Sequence, residues 1–176
     1  FVILAIAVAY KSNEVLVSVL VVVALVLGLN IVAKKLAGRR FGVSVIMKPW
    51  TIYSYGLKPS SHFKKPIPMG WIPFILSYAT SGAVWCFTVL KFNVITRPGW
   101  MYRGGYKTYV RLPERASSLI AITGVLANIL LALFAFSAGW GLLAKVSIVY
   151  AFWSTIPFSD LDGAKIFFGT PWAWFV

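Results

Sequence analysis

Negative charge is scarce in this sequence: four Asp and Glu stand against seventeen Lys and Arg, with one histidine and one cysteine, in 176 residues. The lone Cys86 excludes an intramolecular disulfide and, inside an apolar run, reads as a small core residue. With His62 as the only imidazole, no site built on two histidine ligands can form, and beside Lys64 and Lys65 it reads as a solvated loop residue. Glu14 and Glu114 fall at expected helix ends, far in sequence from Asp160 and Asp162.

What the chain has instead is apolar length. It is 60% hydrophobic and 12% charged, with a mean hydropathy of +0.82, more apolar surface than one soluble core can hide. An integral membrane protein is expected, with the lipid bilayer as its first partner. The formal charge of +13 falls mostly in two clusters between apolar runs, as in cytoplasmic loops beside anionic headgroups. No nucleic-acid partner is needed to explain it.

Residues 1–10 are apolar and read as the end of a partial span, and both chain ends are expected to be cut from a longer protein. A turn at Lys11-Ser12-Asn13-Glu14 follows. Residues 15–33 hold nineteen positions without a charge, enough to cross a ~30 Å layer at ~1.5 Å per residue, so a span is expected over 15–34. Lys34, Lys35, Arg39 and Arg40 mark its cytoplasmic end. Residues 41–69 read as an interfacial loop with short β stretches at 43–46 and 51–53. The stretch 70–90 is apolar but small and polar in its middle, which suggests a re-entrant hairpin bending near Gly82, with a full span as the alternative. A basic loop is expected over 91–115, with a strand at 106–112, and this loop and 34–69 both face the cytoplasm. Further spans are expected over 117–138 and 142–157, and a partial one over 163–176. The tryptophans at 50, 71, 100, 140, 172 and 174 suit an interfacial belt, and Trp85 and Trp153 suit helix packing.

The run Pro157-Phe158-Ser159-Asp160-Leu161-Asp162-Gly163 resembles the Asn-x-x-Pro-x-x-x-Leu-Asp-Gly signature of site-2-type intramembrane zinc metalloproteases, especially their minimal archaeal forms. Gly124-Val125-Leu126-Ala127-Asn128 is similar to the family's Gly-Pro-Leu-x-Asn helix, with Val125 in place of proline. Residues 35–42, Lys-Leu-Ala-Gly-Arg-Arg-Phe-Gly, resemble the basic stretch after its His-Glu-x-x-His. The resemblance implies an all-α, multi-pass membrane protein: a site-2 protease-like transmembrane core with a re-entrant or hairpin insertion and short interfacial strands, forming one domain over 1–176.

The departures concern chemistry. Where the family carries His-Glu-x-x-His, this chain reads Asn30-Ile31-Val32-Ala33-Lys34, and the later asparagine is Ser154. Zinc hydrolysis needs two imidazoles a turn apart, a third carboxylate ligand and a glutamate to take a proton from bound water. An amide and an ammonium hold the spacing without the ligands. The resemblance therefore implies a vestigial site at Asn30, Lys34 and Asp162, motif residues at Asn128, Ser154, Pro157 and Gly163, no catalytic residue, no metal and no cofactor. Such a chain is expected to be an inactive accessory or structural subunit bound to other membrane proteins. The alternatives are an active peptidase with another metal site, or a protein that holds transmembrane helices without cutting them.

Lys34 has two readings of its own. Carried to the family's geometry, it faces Asp162 and neutralises it, because positions four apart share a helix face. Otherwise it snorkels to headgroups while Asp162 caps the helix that follows.

Overall fold

The computed structural model describes residues 16–54, 62–80, 90–96, 114–157 and 161–175. Among these the chain is mostly helical: α1 (Leu16–Arg40), β1 (Val43–Pro49), β2 (Thr51–Ser54), β3 (His62–Pro68), α2 (Ile72–Ala79), β4 (Leu90–Thr96), α3 (Glu114–Ser137), α4 (Gly141–Thr155), α5 (Asp162–Gly169) and α6 (Pro171–Phe175). Two of these helices, α1 with 25 residues and α3 with 24, are long and apolar enough to cross a membrane.

Helix α1 does not stop at its last apolar residue but runs on to Arg40. Its buried stripe is Val19, Val23, Val26, Leu27, Asn30, Lys34 and Gly38, a spacing of three and four that marks one face. The stripe thus turns from apolar to polar partway along. Helix α3 has a matching stripe of Ser118, Ala121, Val125, Asn128, Ala132 and Ala135. Val19, Val23, Val26 and Leu27 pack with Ala135, Leu143, Ala144, Val146 and Tyr150 into one core shared by α1, α3 and α4.

Prolines set the later boundaries. A residue before proline is driven out of helical backbone, so Ile156, preceding Pro157, is extended (φ −66°, ψ 124°) and α4 ends at Thr155. With 15 residues, α4 is about 22 Å long at ~1.5 Å per residue and covers most of the segment expected over 142–157. Thr170 before Pro171 is likewise non-helical, and the expected segment 163–176 is two short helices, with Pro171 opening α6. Trp174 Nε1 donates to the Thr155 carbonyl at 2.7 Å, folding α6 back on the end of α4.

Among the described residues, four short strands lie between α1 and α3. β1 pairs antiparallel with β4, Val45 opposite Val94 and Met47 opposite Phe92. The inner face, Val43, Val45 and Phe92, packs on Ile120, Ala121, Val125, Ala151 and Ile166 in a second core. Residues 91–96, expected as loop, form a strand with Leu90, in which Leu90, Phe92 and Val94 alternate with Lys91 and Asn93. β2 pairs with β3, whose Pro66 and Pro68 are tolerated in a two-stranded ribbon. Within 70–90, α2 covers eight residues and the expected bend near Gly82 lies outside the described residues, as do 1–10 and the expected strand at 106–112. Trp50, expected in a belt, is buried at 2% exposure, whereas Trp71, Trp140 and Trp172 are exposed.

Gly163 is where α5 closes on α4: a Cβ there would collide with the Thr155 and Ile156 carbonyl oxygens. Backbone cannot give way as a flexible side chain can. Gly163→Ala is expected to cost ~1–3 kcal/mol through overpacking, read as a lower unfolding midpoint of the purified protein. An unchanged midpoint would show that this contact is loose.

Candidate functional site

Where the buried stripe of α1 turns polar, Asn30 and Lys34 are 2% exposed. Lys35, Arg39 and Arg40, on other faces of the same helix, are exposed. Phase along the helix separates Lys34 from the other cations. Its Nζ donates to Oδ2 of Asp162, the first residue of α5, which is itself 4% exposed. Of the two readings of Lys34, the structure has the pair and not the snorkelling side chain. Nor does Asp162 act as a cap: the N-cap is Leu161, and no side-chain capping bond is made. The carboxylate sits in the first helical turn, where it complements the positive end of the α5 dipole.

The pair is enclosed on each side. Gly124 of α3 lies against it, because a Cβ at that position would meet the Lys34 stem and the Asn30 amide. One turn on, Asn128 is fully buried. From α4, the Tyr150 side chain hydrogen-bonds that of Ser154 and lies within electrostatic reach of Asp162. Ser147, one turn earlier, is buried on the same helix face. From β4, the fully buried Phe92 ring stands 5.2 Å from Lys34 Nζ and 3.7 Å from Lys165 Nζ. Lys165 also donates to the Phe92 carbonyl, so the strand is clasped to α5. The Ser118 and Thr170 hydroxyls bond across α3 and the end of α5.

Sequence reasoning singled out Asn30, Lys34, Asn128, Ser154 and Asp162, and the structure brings Asn30, Lys34, Ser154 and Asp162 to one junction, with Asn128 a turn along the same stripe from Gly124. Gly163 supports the junction through its contact with α4, and Pro157 ends α4 beside it. Phe92, Tyr150 and Lys165 were missed. The strand alternation at 90–94 was the signal for Phe92, and Tyr150 shares a helix face with Ser154. Asp160 and Cys86 lie outside the described residues, and His62 opens β3 away from this junction in the chain.

Several polar atoms here have no hydrogen-bond partner among the described residues: Asn30 Nδ2, both side-chain polar atoms of Asn128, Ser147 Oγ and Asp162 Oδ1. Buried polar groups without partners are costly, and two of these atoms, Asn30 Nδ2 and Asp162 Oδ1, belong to the junction itself. The residues do not fit a zinc ion. An ammonium occupies the carboxylate, Asn30 contributes an amide rather than an imidazole, and no three His, Cys, Asp or Glu side chains lie together among the described residues.

Breaking the pair from one side leaves a buried ion alone, which typically costs ~3–5 kcal/mol. Lys34→Ala and Asp162→Ala are each expected to lower the unfolding midpoint sharply, and Lys34→Met combined with Asp162→Leu to recover most of the loss. Additive losses in the double variant would mean that the two charges do not interact.

No family model matches the chain, and neither a curated protein nor a solved structure matches it.

Proposed function

We propose that this chain is a catalytically inactive homologue of site-2-type intramembrane metalloproteases that serves as a structural or accessory subunit of a membrane protein complex. In this reading the chain crosses the membrane several times, and the basic stretches 34–69 and 91–115 lie on the cytoplasmic side. The observation that carries it is the buried Lys34–Asp162 pair at the meeting of α1, α3 and α5. Two positions one helical turn apart on α1 converge with the aspartate of a Leu-Asp-Gly run and with a Gly-x-x-x-Asn helix, which is the convergence a proteolytic zinc site of that family would need. Here the ammonium takes the role of the metal's charge, and Asn30 replaces the second ligand.

Among the described residues the junction offers no free carboxylate to activate water: Ile31, at the position of the family's general base, is an alkyl side chain, and the Asp162 carboxylate is held by Lys34. Asn30 and Asn128 can orient a polar group by hydrogen bonds, which suits holding rather than cutting. A chain of this kind keeps its interior for shape and its outer faces for neighbours. The long apolar faces of α1 and α3, with Val17, Val21, Leu126, Leu130 and Leu133 exposed, suit lipid or helices of other multi-pass proteins.

Purified protein is expected to carry no stoichiometric zinc and to leave single-span helical peptides uncut, as read by elemental analysis and a cleavage assay. Stoichiometric zinc with cleavage would overturn the reading. The triple variant Asn30→His, Ile31→Glu, Lys34→His restores the ligand pattern and is expected to bind one zinc with Asp162 as third ligand. Failure of a folded triple variant to bind zinc would contradict the proposed ancestry of the junction.

A further inference from the structure

Helix α2 is built inside out for a helix in water. Trp71 just before it and Phe74, Ile75 and Tyr78 within it follow the spacing of one helical stripe, and they are 58%, 39%, 61% and 68% exposed. Pro73 and Ser77 are the buried residues. A solvated amphipathic helix turns its apolar stripe inward; here an aromatic-rich apolar stripe faces out while Pro73 and Ser77 face in. With 8 residues, at ~1.5 Å each, the helix is too short to cross a bilayer.

The neighbouring ribbon has the complementary chemistry. Phe63, Lys65 and Ile67 alternate onto one face of β3 and are exposed. Residues 41–69 carry Lys48, Lys58, Lys64 and Lys65 and no acid. Backbone bonds tie ribbon and helix together: the Met69 amide donates to the Trp50 carbonyl at 3.0 Å, and the Ile72 amide to the Met69 carbonyl at 3.1 Å. An exposed apolar stripe containing Trp71 and Tyr78, next to the exposed Lys48 and Lys65 in a stretch whose sequence has no acid, is the pair of signals that anionic lipid surfaces recognise.

We propose that α2 and the β2–β3 ribbon form an interfacial clamp that lies on the headgroup layer of an anionic phospholipid bilayer. The aromatic stripe enters the acyl boundary and the lysines meet lipid phosphates. This rests on the reading that α1 and α3 cross that bilayer. The clamp fixes the orientation of the β strands beside the buried junction by a contact independent of the spanning helices.

The test places a nitroxide at Ile75→Cys, with Val21→Cys on the exposed face of α1 as a control, both in a Cys86→Ala background of the full chain. The protein is reconstituted in phosphatidylcholine alone or mixed with phosphatidylglycerol, and collision with oxygen and with a water-soluble nickel chelate is read. Position 75 is expected ~5–10 Å below the phosphates in the mixed bilayer and shallower in phosphatidylcholine alone. Joint substitution of Lys48, Lys58, Lys64 and Lys65 by Gln is expected to abolish that lipid dependence. Should Ile75→Cys fail to fold, Trp71→Cys reports the same stripe.

A label at 75 open to the chelate in both lipids, while position 21 lies among acyl chains, would overturn the clamp and leave the membrane reading standing. Shielding of 75 from both agents would mean a protein neighbour covers the stripe, and would also overturn it. A label at 21 in water would remove the membrane reading and the clamp together.

Discussion

A cation and a carboxylate, each buried among helices, constrain most of what surrounds them. Burying Lys34 or Asp162 without the other would leave a lone ion in an apolar interior, at a cost of several kcal/mol. That requirement fixes the rotation of α1, which must turn Lys34 inward although the neighbouring cations turn outward. It fixes the start of α5 against α1. Gly124 follows from the need for α3 to approach the Lys34 stem, and Gly163 from the need for α5 to reach the end of α4. Phe92 then covers the pair from the strand side, held by Lys165.

Such a pair adds little net stability compared with a well-packed apolar substitute, since desolvation offsets most of the attraction. Its effect is on which packing is allowed. Any arrangement that separates α1 from the N-terminus of α5 leaves two buried ions unpaired, so competing packings are penalised more heavily than an all-apolar interior would penalise them. Asn30 Nδ2 and both Asn128 side-chain polar atoms, without hydrogen-bond partners among the described residues, sharpen this further, because buried polar groups are costly among apolar neighbours.

Much of this was legible in the sequence. The two long apolar helices followed from uncharged runs, while for Lys34 the sequence left two readings open, pairing with Asp162 or snorkelling to headgroups, which burial decided. What was not legible has physical causes. The extension of α1 past its apolar run reflects burial of Lys34 on the continuing stripe, and hydropathy alone reads a lysine at the end of a span as headgroup-facing. The strand at 90–96 was hidden by Lys91, whose charge interrupts an apolar run while leaving the two-residue alternation intact. The splitting of the C-terminal segment was written in Pro171, but its apolar content masked it. Trp50 was assigned by residue type to an interface, whereas its position between β1 and β2 buries it.

The most direct measurement is a carbon–nitrogen distance by solid-state NMR between the Lys34 side-chain nitrogen and the Asp162 carboxyl carbon, in protein reconstituted in lipid. A hydrogen-bonded ion pair predicts strong dipolar coupling at ~3–4 Å. Absence of that coupling, with the Lys34 ammonium exchanging freely with water, would contradict the account.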